Sequence, residues 1–461
     1  MRGDTVAAAT DPVTTVNHAP SSAPSVRPSA CPGLLRIVPA KDGGICRIKL
    51  PCGRLQAGAA EALALAAHGH SGGVLEATNR ANLQIRGVHP GREQALIAEL
   101  LAIGLGAATP GADDVRNLMV SPAAGLDPSA LQDVRPLATR LLALLEDNPR
   151  FHVLSPKFAL LLDGGEALAM LDHPNDIWLA AMEPGKDGLF AFGLAGCPPR
   201  EASDAPALAA VPGAQVPALV EALLELFLER AAPQQARMRD LLGSLGAGQL
   251  LAELRQRLPF TLQDAAGWRR VATDLRPIGV LPQAQAGLWL VGALPPLGRL
   301  QAGQLLALAE LARRHGDGSL HMTPWQSVLL PNVPERETAP LLAGLAALGL
   351  CTEADAPLAR LQACTGSAGC AKGLADTKAD ALTLAATLPD GARVHLCGCP
   401  RSCAAANVAP LTLLATGDGH YDLYRRDDGA GGFGRPLARD LDIHAAAAWL
   451  AATPDSWSST E

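Results

Sequence analysis

The chain has 461 residues, 48% of them hydrophobic, 18% charged and only 3% aromatic, with 38 Lys and Arg against 45 Asp and Glu and a net charge of −7. Counterion release, which drives general nucleic-acid binding, therefore has no basic excess to work with. No uncharged run reaches the roughly 18 apolar residues of a membrane span, and no basic segment followed by an apolar stretch opens the chain. These features predict a cytoplasmic protein that binds neither nucleic acid nor membrane, with about two to four domains.

Residues 1–31 are mostly Ala, Thr, Ser, Pro and Val without an apolar period, which predicts a disordered tail. Beyond it, strand-like runs (ICRIKLP, NLQIRGV, KFALLL, LWLVGAL, VLLPNV) alternate with Ala/Leu-rich helical patterns. That alternation predicts a mixed α/β protein with a core of Leu, Ala and Val. The run GAGGFG (429–434) lacks the spacing and the preceding strand of a nucleotide loop and reads as a turn. A short helix is expected over 443–452, followed by a polar tail.

An internal repeat organises the rest. GRLQAG occurs at 53–58 and again at 298–303, an offset of 245 residues, and 14 of 26 positions match through to Thr78 and Thr323. Each unit reads strand, helix (about 58–68 and 303–314), strand. Arg116-Asn-Leu-Met-Val-Ser-Pro aligns with Arg360-Leu-Gln-Ala-Cys-Thr-Gly, and RFHVLSPK (150–157) aligns with RVHLCGCPR (393–401). Three matches in order predict a duplicated half and a pseudo-two-fold arrangement.

The halves differ where chemistry is expected. The second carries Cys364 and Cys370 (CTGSAGC), then Cys399 and Cys403 (CPRSC), where the first has Val120 and the SPKF stretch. Two short loops, each delivering a pair of thiolates, could hold a 4Fe-4S cluster. The spacing alone leaves zinc open, although the usual C-x2-C knuckle is missing. Of the remaining cysteines, Cys46 and Cys52 match Val291 and Leu297 and read as core-facing strand residues. Cys31, Cys197 and Cys351 are isolated, and Cys397 stands beside the ligand set.

These features, with the run TNRANLQIR (78–86), resemble the sulfite and nitrite reductase hemoprotein family. The resemblance covers about residues 32–436 and implies its fold: two ferredoxin-like halves (32–105 and 276–345) paired into one domain. It also implies two α/β domains (106–275 and 346–440) around a tetrapyrrole cleft, before a C-terminal helix and tail (441–461). In that family four cysteines hold a 4Fe-4S cluster beside sirohaem, and basic side chains bind an anionic substrate. Arg80, Arg116 and Lys157 match three of the four basic positions; the fourth is Ala159 in SPKFA.

The segments ACPGLLRIVPA, GGICRIKLPCGRL, ATNRANLQIRG and HLCGCPRSCA are more similar to the precorrin-3B synthase branch than to the reductases. That branch implies an oxygen-dependent monooxygenase acting on precorrin-3A, with a mononuclear non-haem iron beside the cluster. Electrons are then expected from NAD(P)H through a separate ferredoxin or reductase. For the second iron, Asp163, Asp172 and His173 are candidates only by residue type, and its ligands stay unassigned. His152 and His395, aligned in the repeat, read as core histidines in strands. Arg47, Lys49, Arg54, Arg86 and Lys372 read as solvated ends of elements, and Arg401 is open between that and a functional role. The alternatives are a sirohaem-dependent reductase and a non-catalytic iron–sulfur carrier. A carrier would not need Arg80, Arg116 and Lys157 gathered at a cleft.

Overall fold

The computed structural model describes residues 31–185, 188–406, 408–427 and 431–454. Nearly all of the expected N-terminal tail, the last polar residues and the start of the GAGGFG run lie outside them, while Gly431–Gly434 form a turn.

The first half contains β1 (Val38–Ala40), β2 (Gly43–Ile48), β3 (Arg54–Gln56), α1 (Ala57–His70), β4 (Val74–Ala77), β5 (Leu83–Val88) and α2 (Glu93–Ala102). An α/β domain follows: α3 (Pro110–Val115), β6 (Leu118–Val120), α4 (Arg135–Asp147), β7 (Leu160–Asp163), β8 (Asn175–Ala181), β9 (Leu189–Gly196) and β10 (Ala209–Pro212). Its last helices are α5 (Val216–Arg230), α6 (Met238–Leu245) and α7 (Ala247–Arg257). The second half repeats the first with β11 (Gly279–Pro282), β12 (Leu288–Ala293), β13 (Arg299–Gln301), α8 (Ala302–His315), β14 (Ser319–Met322), β15 (Val328–Pro334) and α9 (Glu335–Ala347). A second α/β domain closes the chain: β16 (Leu361–Ala363), α10 (Thr377–Ala385), β17 (Val394–Cys397), β18 (Leu411–Gly417), β19 (His420–Arg425), β20 (Arg435–Leu441) and α11 (Ile443–Ala452).

The two GRLQAG strands change places. Strand β3 pairs antiparallel with β14 of the other half, setting Leu55 opposite Leu320 and Arg54 opposite His321. Strand β13 pairs with β4, setting Leu300 opposite Leu75 and Arg299 opposite Glu76. The sheets therefore run β1-β2-β5-β4-β13 and β11-β12-β15-β14-β3, each completed by the other half. Behind them α1 packs on α8. Ala60, Ala64 and Ala67 on one helix and Leu305, Leu308, Ala309 and Ala312 on the other are buried at helical spacing in one shared core. Before each exchanged strand the chain makes the same tight turn, with Cys52 and Leu297 both at φ 53° and a glycine next. At Gly53 a Cβ would meet the Met322 carbonyl oxygen at 2.4 Å, so that position admits only glycine. Cys52 is thus a half-buried turn residue and not in a strand as the repeat suggests, whereas Cys46 is buried in β2.

The α/β domains share a strand order, β10-β9-β8-β7-β6 and β20-β19-β18-β17-β16. In each the first three strands are parallel and the last two antiparallel. This topology corrects the third sequence match. Strand β17, which contains VHLC, corresponds to β7 and not to RFHV, because β17 and β7 each pair with the first strand of their sheet. RFHV lies in a 3-10 turn (Pro149–Val153), with Pro at its start and the Asn148 side chain accepting from the Arg150 N–H. His152 accordingly sits in that turn, its Nε2 2.9 Å from the Glu146 carbonyl. His395 is buried in β17, as expected, yet among the described residues neither of its ring nitrogens has a hydrogen-bond partner.

Glu76, on β4, joins three parts of the molecule. Its carboxylate lies 2.8 Å from Arg299 of the exchanged strand, 3.7 Å from Arg86 and 3.8 Å from Lys378 of the second α/β domain. Gln84 and Thr365 donate to it at 2.9 and 3.2 Å. Burial alone would raise its pKa, but Lys378, Arg86 and Arg299 outweigh burial and hold it at about 2. A carboxyl depressed in the folded state contributes stability that is complete above its unfolded pKa and lost as pH falls through the folded one. Glu76→Gln should therefore lower stability by about 3 kcal/mol at pH 7, since it leaves buried cations uncompensated. It should also remove the part of the acid-induced loss that falls between pH 4.5 and about 2. Urea unfolding across that range checks both; an unchanged midpoint and pH profile would contradict the assignment.

Candidate iron–sulfur and anion site

The four cysteines occupy two loops at the carboxyl ends of β16 and β17, which lie side by side. Cys364, Cys370 and Cys399 all lie within electrostatic range of Cys403. The Gly398 N–H donates to Cys364 Sγ at 3.2 Å, a contact suited to a thiolate. Gly366 has φ 66°, and a Cβ there would meet the Ala375 carbonyl at 2.5 Å, so the loop turns tightly. Among the described residues no three His, Cys, Asp or Glu side chains converge on a single ion. Four thiols on two adjacent loops within electrostatic range of one another, one of them receiving a backbone N–H, fit a 4Fe-4S cluster. Cys397 is buried, and its Sγ donates to the Cys399 carbonyl at 2.8 Å, so it supports the loop.

The first half clamps these loops. Arg86 Nη2 donates to the Gly369 carbonyl at 3.0 Å and Lys41 Nζ to the Ser367 carbonyl at 2.7 Å. Lys378 donates to the Leu297 carbonyl and lies near Cys364. Asn79 Nδ2 donates to the Cys403 and Ala404 carbonyls at 3.3 and 3.4 Å. The next residue, Arg80, reaches the other way, donating to Asn175 Oδ1 at 3.3 Å. The run Thr78-Asn79-Arg80 therefore spans from the cysteine loop to the first α/β domain.

Arg80 and Arg116 line one narrow crevice with room for about one water molecule (about 10 Å³), together with Lys49, Asn82 and Asn117. Arg116 is held by the Lys49 and Gly106 carbonyls at 2.6 and 3.2 Å. Lys49 donates to the Asp113 and Asp114 carbonyls, and its pKa falls to about 8, chiefly by burial. Burial, then the nearby Arg237, lowers Arg80 to about 10. Lys157 is exposed and is not on the crevice wall. Ala159 is buried, its N–H donating to Asp176 at 2.8 Å. A larger open cavity of about 580 Å³ is walled by Arg200, Arg269, Arg270 and Arg426 together with Asp172 and Glu201. Asp172 precedes His173, which stands within electrostatic range of Arg80 and whose pKa falls to about 3 through burial and that charge.

The candidates for a second iron do not assemble. Asp163 is locked in a buried ion pair with Arg270 at 2.6 Å, Asp172 pairs with Arg200 at 2.8 Å, and His173 faces Arg80. Two residues read as solvated are instead buried: Lys49 and Arg86 are only 6% and 4% exposed. The Nε of Arg47 is also out of solvent contact. The signal that could have found them is their place in ICRIKLP and NLQIRGV, beside motifs already tied to the site.

Fold and site together define a duplicated α/β iron–sulfur protein of the oxidoreductase kind. The ferredoxin-like half domain of nitrite/sulfite reductases matches twice, over residues 38–103 and 281–348. The nitrite and sulphite reductase 4Fe-4S domain matches residues 111–262, the first of the two α/β domains; the four cysteines lie in the second. Chloroplastic ferredoxin–nitrite reductase of Zea mays is 34% identical over 397 residues, covering 80% of this chain and 68% of that protein. Ferredoxin–nitrite reductase of Synechococcus elongatus is 33% identical over 395 residues, covering 80% and 76%. Precorrin-3B synthase of Sinorhizobium sp is 29% identical over 401 residues, covering 86% and 82%. The solved structure of the Mycobacterium tuberculosis NirA protein shares the fold, with a TM-score of 0.73 at 22% identity over 89% of this chain and 80% of that one. The chain belongs to the nitrite and sulfite reductase family.

Replacing Cys364, Cys370, Cys399 or Cys403 singly by Ser should strip iron and sulfide from anaerobically purified protein. Cys46→Ser, Cys197→Ser and Cys351→Ser should leave both counts intact. Full counts in any of the first four variants would remove that residue from the ligand set.

Proposed function

We propose that the chain is an oxygen-dependent monooxygenase of the precorrin-3B synthase type. It would hydroxylate precorrin-3A at the meso carbon between rings A and D, with γ-lactone closure by the ring A acetate. The observation that carries this reading is Ala159, which stands where the reductases have their second lysine and is packed into the sheet. A pocket reduced in that way is poorer at concentrating positive charge on a small anion. It loses less with a tetrapyrrole whose carboxylates spread around its rim, where single arginines can meet them one by one. The match to precorrin-3B synthase takes in 82% of that protein, against 76% and 68% for the Synechococcus and Zea mays reductases.

In this reading Arg80 and Arg116 hold substrate carboxylates from the crevice and Lys157 does so from the solvent side. One oxygen atom of dioxygen enters the substrate and the other leaves as water, taking up two electrons and two protons. When bound, the cluster supplies electrons one at a time, replenished by a separate ferredoxin or reductase drawing on NAD(P)H. No ligand set for a mononuclear iron is assigned, and no step is built on one.

A second reading, a ferredoxin- and sirohaem-dependent nitrite or sulfite reductase, is favoured by the higher identity to ferredoxin–nitrite reductases. A non-catalytic carrier gives no reason for Arg80 and Arg116 to share a crevice. Protein purified without oxygen and given precorrin-3A, oxygen and a reductant should form the hydroxylactone. Arg80→Ala should raise KM for precorrin-3A at least tenfold. Bound sirohaem with nitrite or sulfite turnover, and no hydroxylactone, would overturn the proposal in favour of the reductase.

A further inference from the structure

Most other cations around the site meet a carboxylate or carbonyl. Lys49 donates to two carbonyls, Arg86 pairs with Asp42 and Glu76, Arg116 has two carbonyls with Asp113 and Glu146 at 3.8 and 3.7 Å, and Lys378 faces Glu76. Arg80 and Arg47 meet only side-chain amides, Asn175 and Gln84. Of these two, Arg47 also has a buried Nε without a hydrogen-bond partner among the described residues, and among them it forms no ion pair with a carboxylate. Its charged surroundings make this worse, since Lys49, Arg80 and Arg86 all lie within electrostatic range. The acidic groups that face it are two thiols, Cys31 and Cys403. A half-buried guanidinium whose Nε is shut off from solvent among like charges is costly unless an anion compensates it.

We infer that the anion completing Arg47 is the thiolate-bound cluster on its Cys403 side, and that Arg47 sets the cluster's reduction potential. The inference rests on the iron–sulfur assignment but not on which substrate the protein takes. Reduction adds one negative charge to the cluster. A buried cation close by stabilises the reduced form more than the oxidised one, because the low-dielectric surroundings screen it little. Arg47 is thereby a positioning and tuning residue, within electrostatic range of both Cys403 and Arg80, and not a group that touches the reacting atoms. Its Gln84 contact continues to Glu76, which holds Arg47 within the network that clamps the cysteine loop.

The test is an EPR-monitored redox titration of anaerobically purified full-length protein, with iron and sulfide counts, for the wild type, Arg47→Gln and Arg47→Lys. Arg47→Gln should keep its cluster and lower the reduced-to-oxidised ratio at fixed poise at least tenfold, which is about 59 mV more negative for one electron. Arg47→Lys should stay within about threefold of the wild type. Loss of the cluster, or of folding, in Arg47→Gln with rescue in Arg47→Lys would also support a charge requirement. Equal loss in both variants would make the role one of shape and overturn the inference. So would a full cluster at the wild-type potential in Arg47→Gln, even with weaker tetrapyrrole binding. A wild type without four iron and four sulfide would instead overturn the cluster assignment itself.

Discussion

Burying a carboxylate costs several kcal/mol unless charge and hydrogen bonds meet it on every side. Glu76, only 5% exposed, is met by Arg86 and Gln84 from its own half, Arg299 from the exchanged strand of the other, and Lys378 and Thr365 from the cysteine domain. The strand exchange puts Arg299 there, because β13 pairs with β4 in the register that sets Arg299 opposite Glu76. Thr365 follows Cys364 directly, so the contact that neutralises the carboxylate also fixes the start of the cysteine loop. The same Arg86 that faces Glu76 holds the Gly369 carbonyl just before Cys370. Sheet pairing, interdomain docking and thiol placement thus share one electrostatic knot.

The duplication shows what that knot is for. Where the halves do the same structural work, they keep the same devices. His70 pairs with Glu99 and His315 with Glu337 at the ends of equivalent helices, and both tight turns use the same backbone geometry. Where one half faces the cysteines, they diverge. The repeat partner of Glu76 is His321, whose pKa is lowered to about 4 chiefly by burial and whose Nδ1 donates to the Pro122 carbonyl at 2.7 Å instead of organising cations. The half with the anion hub faces the loop that carries thiols, and the pseudo-symmetry is broken there.

Much of the fold could be read from the repeat: the helices after GRLQAG, the flanking strands and the paired halves. The exchange of β3 and β13 could not. Both strands are Arg-Leu-Gln, so nothing local distinguishes one sheet's edge from the other's. RFHV misled because four similar letters outweighed Asn148 and Pro149, which begin a turn. At the site the cysteine spacing was readable, since short loops must bring thiols together. The buried cations were not. In ICRIKL, Cys46 and Ile48 point into the core, and period-two alternation places Arg47 and Lys49 on the face expected to meet water. That face is covered by the first α/β domain and the cysteine loop, and only tertiary packing reveals it.

The central claim is that this member of the family joins a cluster in its second half to a basic lining in its first, and takes a tetrapyrrole as substrate, not as a resident haem. The most direct measurement is the absorption spectrum and extracted pigment of freshly prepared anaerobic protein. The account predicts a broad iron–sulfur spectrum with no stoichiometric sirohaem extracted alongside it. One sirohaem per chain, with its sharp haem-type bands, would contradict it.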